Sequence, residues 1–251
     1  MKIRRHIPSI FTFLNLFLGF MAILSIQRGE FVIASYFILI AGVLDSFDGK
    51  IARMFGISSD FGTEIDSLAD MVSFCLVPSV LIYSLYTKDL PGITGELVAS
   101  APLILGAIRL AKFNVAQDFK PTSFFTGFPT PMNAFTIIAI VMFTEQVKDN
   151  PALVRYTDQK LILSIIFVTS FLMVSKVKYA KFPLLNIHSG KQNNFRLIGV
   201  TSFVISFIIG IFYNVQSWVL IIALSVYILV GLLRRLIGPE VDESETIDSR
   251  A

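Results

Sequence analysis

Residues 31–70 read FVIASYFILIAGVLDSFDGKIARMFGISSDFGTEIDSLAD, an apolar run that ends among charges and a polar stretch from which a second apolar run sets out. Phe31 to Leu44 carries no charge, and neither does Met71 to Thr87. A helix needs roughly 20 residues to cross about 30 Å of hydrocarbon. The two runs therefore predict a pair of membrane helices joined through Met54 to Phe61. Four aspartates, Asp45, Asp48, Asp66 and Asp70, lie at the joined ends of this pair. Charge in a membrane span is expensive, and it marks a bound ion, a proton path or a reaction site.

Composition extends this reading to the whole chain. Of 251 residues, 54% are hydrophobic and 16% charged, with a mean hydropathy of +0.72. A soluble domain carries about 25% charged residues, so the expected fold class is an all-α polytopic membrane bundle, and no nucleic-acid partner is expected. Eight apolar runs are long enough to span, at about 8–27, 31–53, 61–87, 97–117, 130–147, 160–177, 197–214 and 217–237. The breaks have turn chemistry, as in Arg28-Gly29-Glu30 and Lys88-Asp89-Leu90-Pro91-Gly92. The first run has no A-x-A-like exit and is not read as a cleaved signal. The single Cys75 lies in an apolar run and reads as a core filler.

Residues 1–238 are expected to form one membrane domain. Residues 239–251 hold Glu240, Asp242, Glu243, Glu245 and Asp248 against Arg250, an acidic tail expected to stay disordered. Basic residues gather on one side of the spans, sixteen against five. The richer side faces the cytoplasm, which puts both termini there and agrees with an even number of spans. The second helix then runs inward and ends with Asp45 and Asp48, and the third begins with Gly62, Asp66 and Asp70. At 1.5 Å per residue, Asp70 lies about 12 Å into its helix. All four carboxylates are expected at headgroup depth, open to water.

Positions i, i+3, i+4 and i+7 share a helix face. Asp45, Asp48 and Ala52 make one such face, and Gly62, Asp66 and Asp70 make another. Four converging carboxylates repel one another at low dielectric, and one or two hard divalent cations, Mg²⁺ or Mn²⁺, resolve this. Gly49, Ala52 and Gly62 leave a trough beside the acids. Arg53 suits phosphate, as do Ser58 and Ser59. Close helix packing explains Gly49 and Ala52 equally well, but it does not require four aspartates in register.

The pattern D-x2-D-G-x2-A-R-x8-G-x3-D-x3-D, filled by Asp45, Asp48, Gly49, Ala52, Arg53, Gly62, Asp66 and Asp70, resembles the signature of the CDP-alcohol phosphatidyltransferases. The resemblance implies that Asp45, Asp48 and Asp66 are metal ligands, with Asp70 both ligand and general base. It places Gly49, Arg53 and Ser59 against the CDP moiety. Arg109-Leu110-Ala111-Lys112-Phe113-Asn114 resembles a stretch of the phosphatidylserine synthase subgroup, with Lys112 in place of arginine. Gly127-Phe128-Pro129-Thr130-Pro131 resembles that subgroup's G-x-P-x-P loop, and Pro8, Thr12, Asn15 and Gly19 resemble its opening helix. The expected reaction moves the phosphatidyl group of CDP-diacylglycerol to L-serine and releases CMP.

Arg109 or Lys112 could then hold the serine carboxylate, with Asn114 orienting it; alternatively Arg109 binds the lipid diphosphate. Thr12 and Asn15 either face the cytidine or join helices. The seventh and eighth helices are candidates for homodimer contacts, since the family often dimerises. Two alternatives stand beside this reading. One is the same chemistry with glycerol 3-phosphate or an inositol compound. The other is a cation transporter using the acids as a relay, which requires carboxylates near the bilayer midplane, whereas these cluster at one end.

Overall fold

The computed structural model describes residues 7–55, 60–116, 124–180 and 191–237. The acidic segment 239–251 and Ser58 and Ser59 lie outside them. Helix α1 (Ile7–Gln27) turns into α2 (Phe31–Phe55) through Gly29, whose φ of +77° is open to glycine without strain. The turn is pinned by the Glu30 N–H donating to the Ser25 carbonyl at 2.9 Å. These two helices pack side by side over their length.

The third rod runs unbroken from Asp60 to Thr87. It comprises α3 (Asp60–Asp70), a π-helical stretch Met71–Leu76, α4 (Val77–Ile82) and a second π stretch Tyr83–Thr87. The first widening lies immediately before Pro78. Proline lacks an N–H and its ring crowds the carbonyl four residues back; here the Val77 N–H donates five residues back, to Val72. Such π segments recur at functional sites, and this one begins at the residue after Asp70. The rod that follows is α5 (Thr94–Ala99) and α6 (Ala101–Ala116), interrupted next to Pro102.

Strand β1 (Phe124–Thr126) precedes α7 (Thr130–Val147). After α8 (Gln159–Met173), whose N-terminus is capped by the Asp158 carboxylate, strand β2 (Lys178–Ala180) pairs antiparallel with β1 in the register Phe124↔Ala180, Phe125↔Tyr179, Thr126↔Lys178. This small sheet is an addition to the expected all-helical class. It also shortens the sixth apolar run, which leaves helix at Met173. The chain closes with α9 (Lys191–Phe212) and α10 (Gln216–Ile237).

The core forms where α1, α2, the third rod and α7 meet, around Ala22, Ala34, Ile38, Phe74, Leu81, Ile137 and Val141. α7 is buried along most of its length. At Gly106, a Cβ would stand 2.4 Å from the Cys75 sulfur, so glycine lets α6 close on the third rod and buried Cys75 fills the contact. Outward faces are apolar, with Phe17, Phe20, Ile33, Ile40, Ile104, Ile205, Ile222 and Leu229 exposed. A soluble protein would not leave such a belt to water. Among the described residues, five helices are long and apolar enough to span, Ile10–Gln27, Phe61–Thr87, Thr94–Val115, Asn193–Phe212 and Gln216–Leu236. Phe31–Phe47 and Gln159–Met173 are shorter apolar helices. The protein is a polytopic helical bundle of the membrane.

Candidate active site

Asp45 comes from α2, and Asp66 and Asp70 come from one face of α3, at i and i+4. One carboxylate oxygen of each lies within 4.8 Å of the others. The helix pairing expected from residues 31–70 thus brings three of the four acids together. Asp48 follows Asp45 on the same helix at i+3. The side chains of Asp48, Gly49, Ala52 and Arg53 lie outside those described, and Ser59 lies outside the described residues altogether.

Asp70 is half-buried as a residue, with one of its two oxygens enclosed. Its Oδ1 is buried and makes no hydrogen bond, a condition that costs a carboxylate dearly unless something charged meets it. Its charged neighbours are Asp45, Asp66 and Arg109. Asn15 of α1 lies beside it. That amide is fully buried and is the side-chain hydrogen-bonding neighbour of the Asp70 carboxylate. The Asn15 backbone is fixed by the Ser73 hydroxyl, which donates to its carbonyl at 3.0 Å. Thr12 is buried one turn before Asn15, and Gly62 is half-buried one turn before Asp66.

Arg109 closes the site from α6. It is 8% exposed, and its Nη1 donates to the Thr130 hydroxyl at 3.1 Å while Nε is buried without a partner. Phe125 lies beneath the guanidinium, 6.0 Å from its carbon to the ring centre, and packs against Phe113, as the shared helix face of Arg109 and Phe113 predicts. Lys112 is exposed and stands apart from this buried arginine. Asn114 is engaged with Ser67 of α3, donating from Nδ2 to Oγ at 2.9 Å, so it ties α6 to the aspartate helix.

From the sequence, Thr130 is named only as part of its loop, and Asn133 is not named at all. Thr130 holds Arg109. Asn133, one turn further along α7, is fully buried with both side-chain polar atoms unpartnered. The visible signal was faint: a polar side chain one turn into an apolar helix, just after the Pro129-Thr130-Pro131 corner. Asp70 Oδ1 and Arg109 Nε, on neighbouring charged side chains, thus present buried polar atoms without a protein partner, and Asn133 adds a buried amide on the α7 face that carries Thr130. Buried polar groups are almost always hydrogen-bonded, so their concentration here marks a place where a polar ligand completes the structure.

The donor set is all carboxylate oxygen, the kind that hard divalent cations take. The crowding of three acids together with the orphaned Asp70 oxygen fits such an ion.

Comparison with known proteins agrees with this chemistry. Residues 5–175 match the CDP-alcohol phosphatidyltransferase family. A CDP-diacylglycerol–serine O-phosphatidyltransferase of Bacillus subtilis is 38% identical over 191 residues, covering 75% of this chain and 99% of that protein. Proteins of the same name from Helicobacter pylori and Methanocaldococcus jannaschii are 34% and 31% identical over 175 and 172 residues, covering 70% and 68% of this chain and 72% of each relative. Because the family match takes in most of the chain and includes all four aspartates, this protein belongs to the CDP-alcohol phosphatidyltransferase family.

Proposed function

We infer that this protein transfers the phosphatidyl group of CDP-diacylglycerol to the hydroxyl of L-serine, forming phosphatidylserine and CMP. The observation that carries the reading is the meeting of Asp45, Asp66 and Asp70 beside a buried arginine with a vacant donor. The relatives at 31–38% identity carry the serine activity in their names.

Asp45, Asp48, Asp66 and Asp70 would hold one or two divalent ions, Mg²⁺ or Mn²⁺. When bound, such ions neutralise charge on the diphosphate and on the departing CMP. Asp70 accepts the proton of the serine hydroxyl. Its location between the acid cluster and Asn15 suits a base that must stay oriented while partly enclosed. The serine oxygen forms a bond to the phosphatidyl phosphorus as the bond to the bridging oxygen of CMP breaks. Arg109 receives the serine carboxylate, its free Nε supplying the second prong of a bidentate pair beside the Nη1 held by Thr130. Asn133 hydrogen-bonds the polar end of the same amino acid. Gly49, Ala52, Arg53, Ser59, Gly62 and Thr12 border the CDP-lipid. Lys112 attracts anionic substrate from the surface, and Asn114 positions the aspartate helix through Ser67.

The excess of basic residues at the aspartate end supports a site facing the cytoplasm. It also supports eight spans with both termini on that side, the shorter helices included. The test is CMP release by purified protein given CDP-diacylglycerol, Mg²⁺ or Mn²⁺, and in turn L-serine, glycerol 3-phosphate and inositol. Serine alone should stimulate release, and only with metal present. Stimulation by another alcohol but not by serine would overturn the assignment.

A further inference from the structure

We propose that the β1–β2 ribbon and the α9–α10 hairpin form a second anion site, which takes the phosphate headgroup of an anionic glycerophospholipid and lies beyond the matched residues 5–175 in its two arginines. Side chains alternate across a strand pair, so the ribbon has two faces with different chemistry. Phe125 and Tyr179 point inward, where Phe125 underlies Arg109 and Tyr179 is fully buried. Phe124, Thr126, Lys178 and Ala180 occupy the outward face.

That outward face gathers cations. The Arg234 guanidinium carbon lies 4.5 Å from the centre of the Phe124 ring, and that of Arg196 lies 5.7 Å from it. Both guanidiniums thus stand at one ring, their carbons no more than about 10 Å apart, and the long arginine side chains let both forks converge on one phosphate. Lys178 is exposed on the same face of the ribbon. Among the described residues, neither arginine forms an ion pair. Two guanidiniums held over one ring repel each other, and an anion between them relieves this while using the flat forks that suit phosphate.

The surroundings choose a lipid over a free anion. Phe195, Leu233 and Leu236, which flank the arginines, are 80%, 49% and 80% exposed, an arrangement suited to acyl chains beside a headgroup. A groove of about 350 Å³ runs along α9, lined by Asn194, Leu197, Ile198, Thr201 and Ser202. At 100° per residue its lining falls on the face of α9 turned away from Arg196, so it is separate from the paired arginines.

The test is lipid retention by the full-length protein in phosphatidylcholine nanodiscs with and without phosphatidylglycerol, read as bound lipid by native mass spectrometry. Wild type should retain phosphatidylglycerol over phosphatidylcholine. The double variant R196Q/R234Q should lose about tenfold or more of that preference, and R235Q, which changes the adjacent exposed arginine, should keep it. F124L, which leaves every charge in place, should weaken it to an intermediate degree. Equal retention by R196Q/R234Q and wild type would overturn the proposal, as would equal loss in R235Q. Displacement of the lipid by inorganic phosphate at matched concentration would reassign the site to a soluble anion. Wild type that binds both lipids equally, because Glu240 to Asp248 or a second copy of the chain holds the arginines, would also overturn it. None of these readouts depends on which alcohol the enzyme uses.

Discussion

Asp70 carries the sharpest expectation at the scale of single residues. Replacing it with Asn keeps its size but removes the proton acceptor. CMP release should fall by about 10²- to 10⁴-fold, while the apparent Tm holds or rises, since one of three crowded carboxylates is gone. Near-normal release by D70N would remove Asp70 from the base role. Asn133 separates function from stability in the opposite sense. As an unpartnered buried amide it is a liability to the fold, so Asn133→Leu should leave the protein as stable or more stable by about 1–3 kcal/mol. The same variant should raise KM for serine about tenfold with a smaller change in KM for CDP-diacylglycerol. A drop in Tm with an unchanged KM would make Asn133 structural. The four aspartates were legible because charge in an apolar run has few explanations. Asn133 was not, because an asparagine in a membrane helix is informative only once its lack of partners is known.

Among elements, the β1–β2 ribbon links the substrate side to the last two helices, and Gly127 is its pivot. Its φ is +80°, and a Cβ there would stand 2.1 Å from the Met173 carbonyl oxygen. Gly127→Ala therefore meets both a left-handed backbone penalty of about 1–2 kcal/mol and a clash with backbone that has no room to yield. It should also strain the 2.8 Å bond from the Gly127 N–H to the Val177 carbonyl. A lower apparent Tm and weaker serine stimulation are expected, since β1 also carries Phe125 under Arg109; an unchanged Tm would show the corner to be less tight than its geometry. Across the ribbon, burial pushes the Tyr179 phenol up to about 12, and its hydroxyl has no hydrogen-bond partner. Below pH 10 it is neutral in both folded and unfolded chains. Between about pH 10 and 12 the unfolded chain ionises first, so the native state loses stability as pH rises, by roughly 2 kcal/mol. Tyr179→Phe should remove that share of the alkaline loss and leave Tm at neutral pH nearly unchanged; identical alkaline melting of the two proteins would refute it. The helices were readable from runs of apolar residues. The ribbon was not, because it joins segments about fifty residues apart, and neither three-residue strand has a pattern of its own.

For the whole molecule, the sequence-level reading and the structure meet in the long rods and part at their ends. Thr130–Val147 keeps the limits expected of it, since Pro129 and Pro131 set its start and the polar Lys148-Asp149-Asn150 stretch its end. The seventh helix begins six residues earlier than its apolar run, at Lys191, where polar residues continue the helix beyond the apolar stretch. Sidedness is a property of the whole chain, and Cys75 makes it measurable. It is the only cysteine and is buried against Gly106, so new cysteines report without background. Lys112→Cys and Lys176→Cys, both at exposed positions near the aspartate end, should be shielded from a membrane-impermeant maleimide in intact cells and react after permeabilisation. Lys88→Cys and Lys148→Cys, exposed at the opposite turns, should react in intact cells. The reverse pattern would put the acids on the outer face, away from a cytosolic supply of serine, and would break the link between the basic residues and orientation. A mixed pattern, with Lys88→Cys and Lys148→Cys reacting on different sides, would instead mean that one of the shorter helices fails to cross.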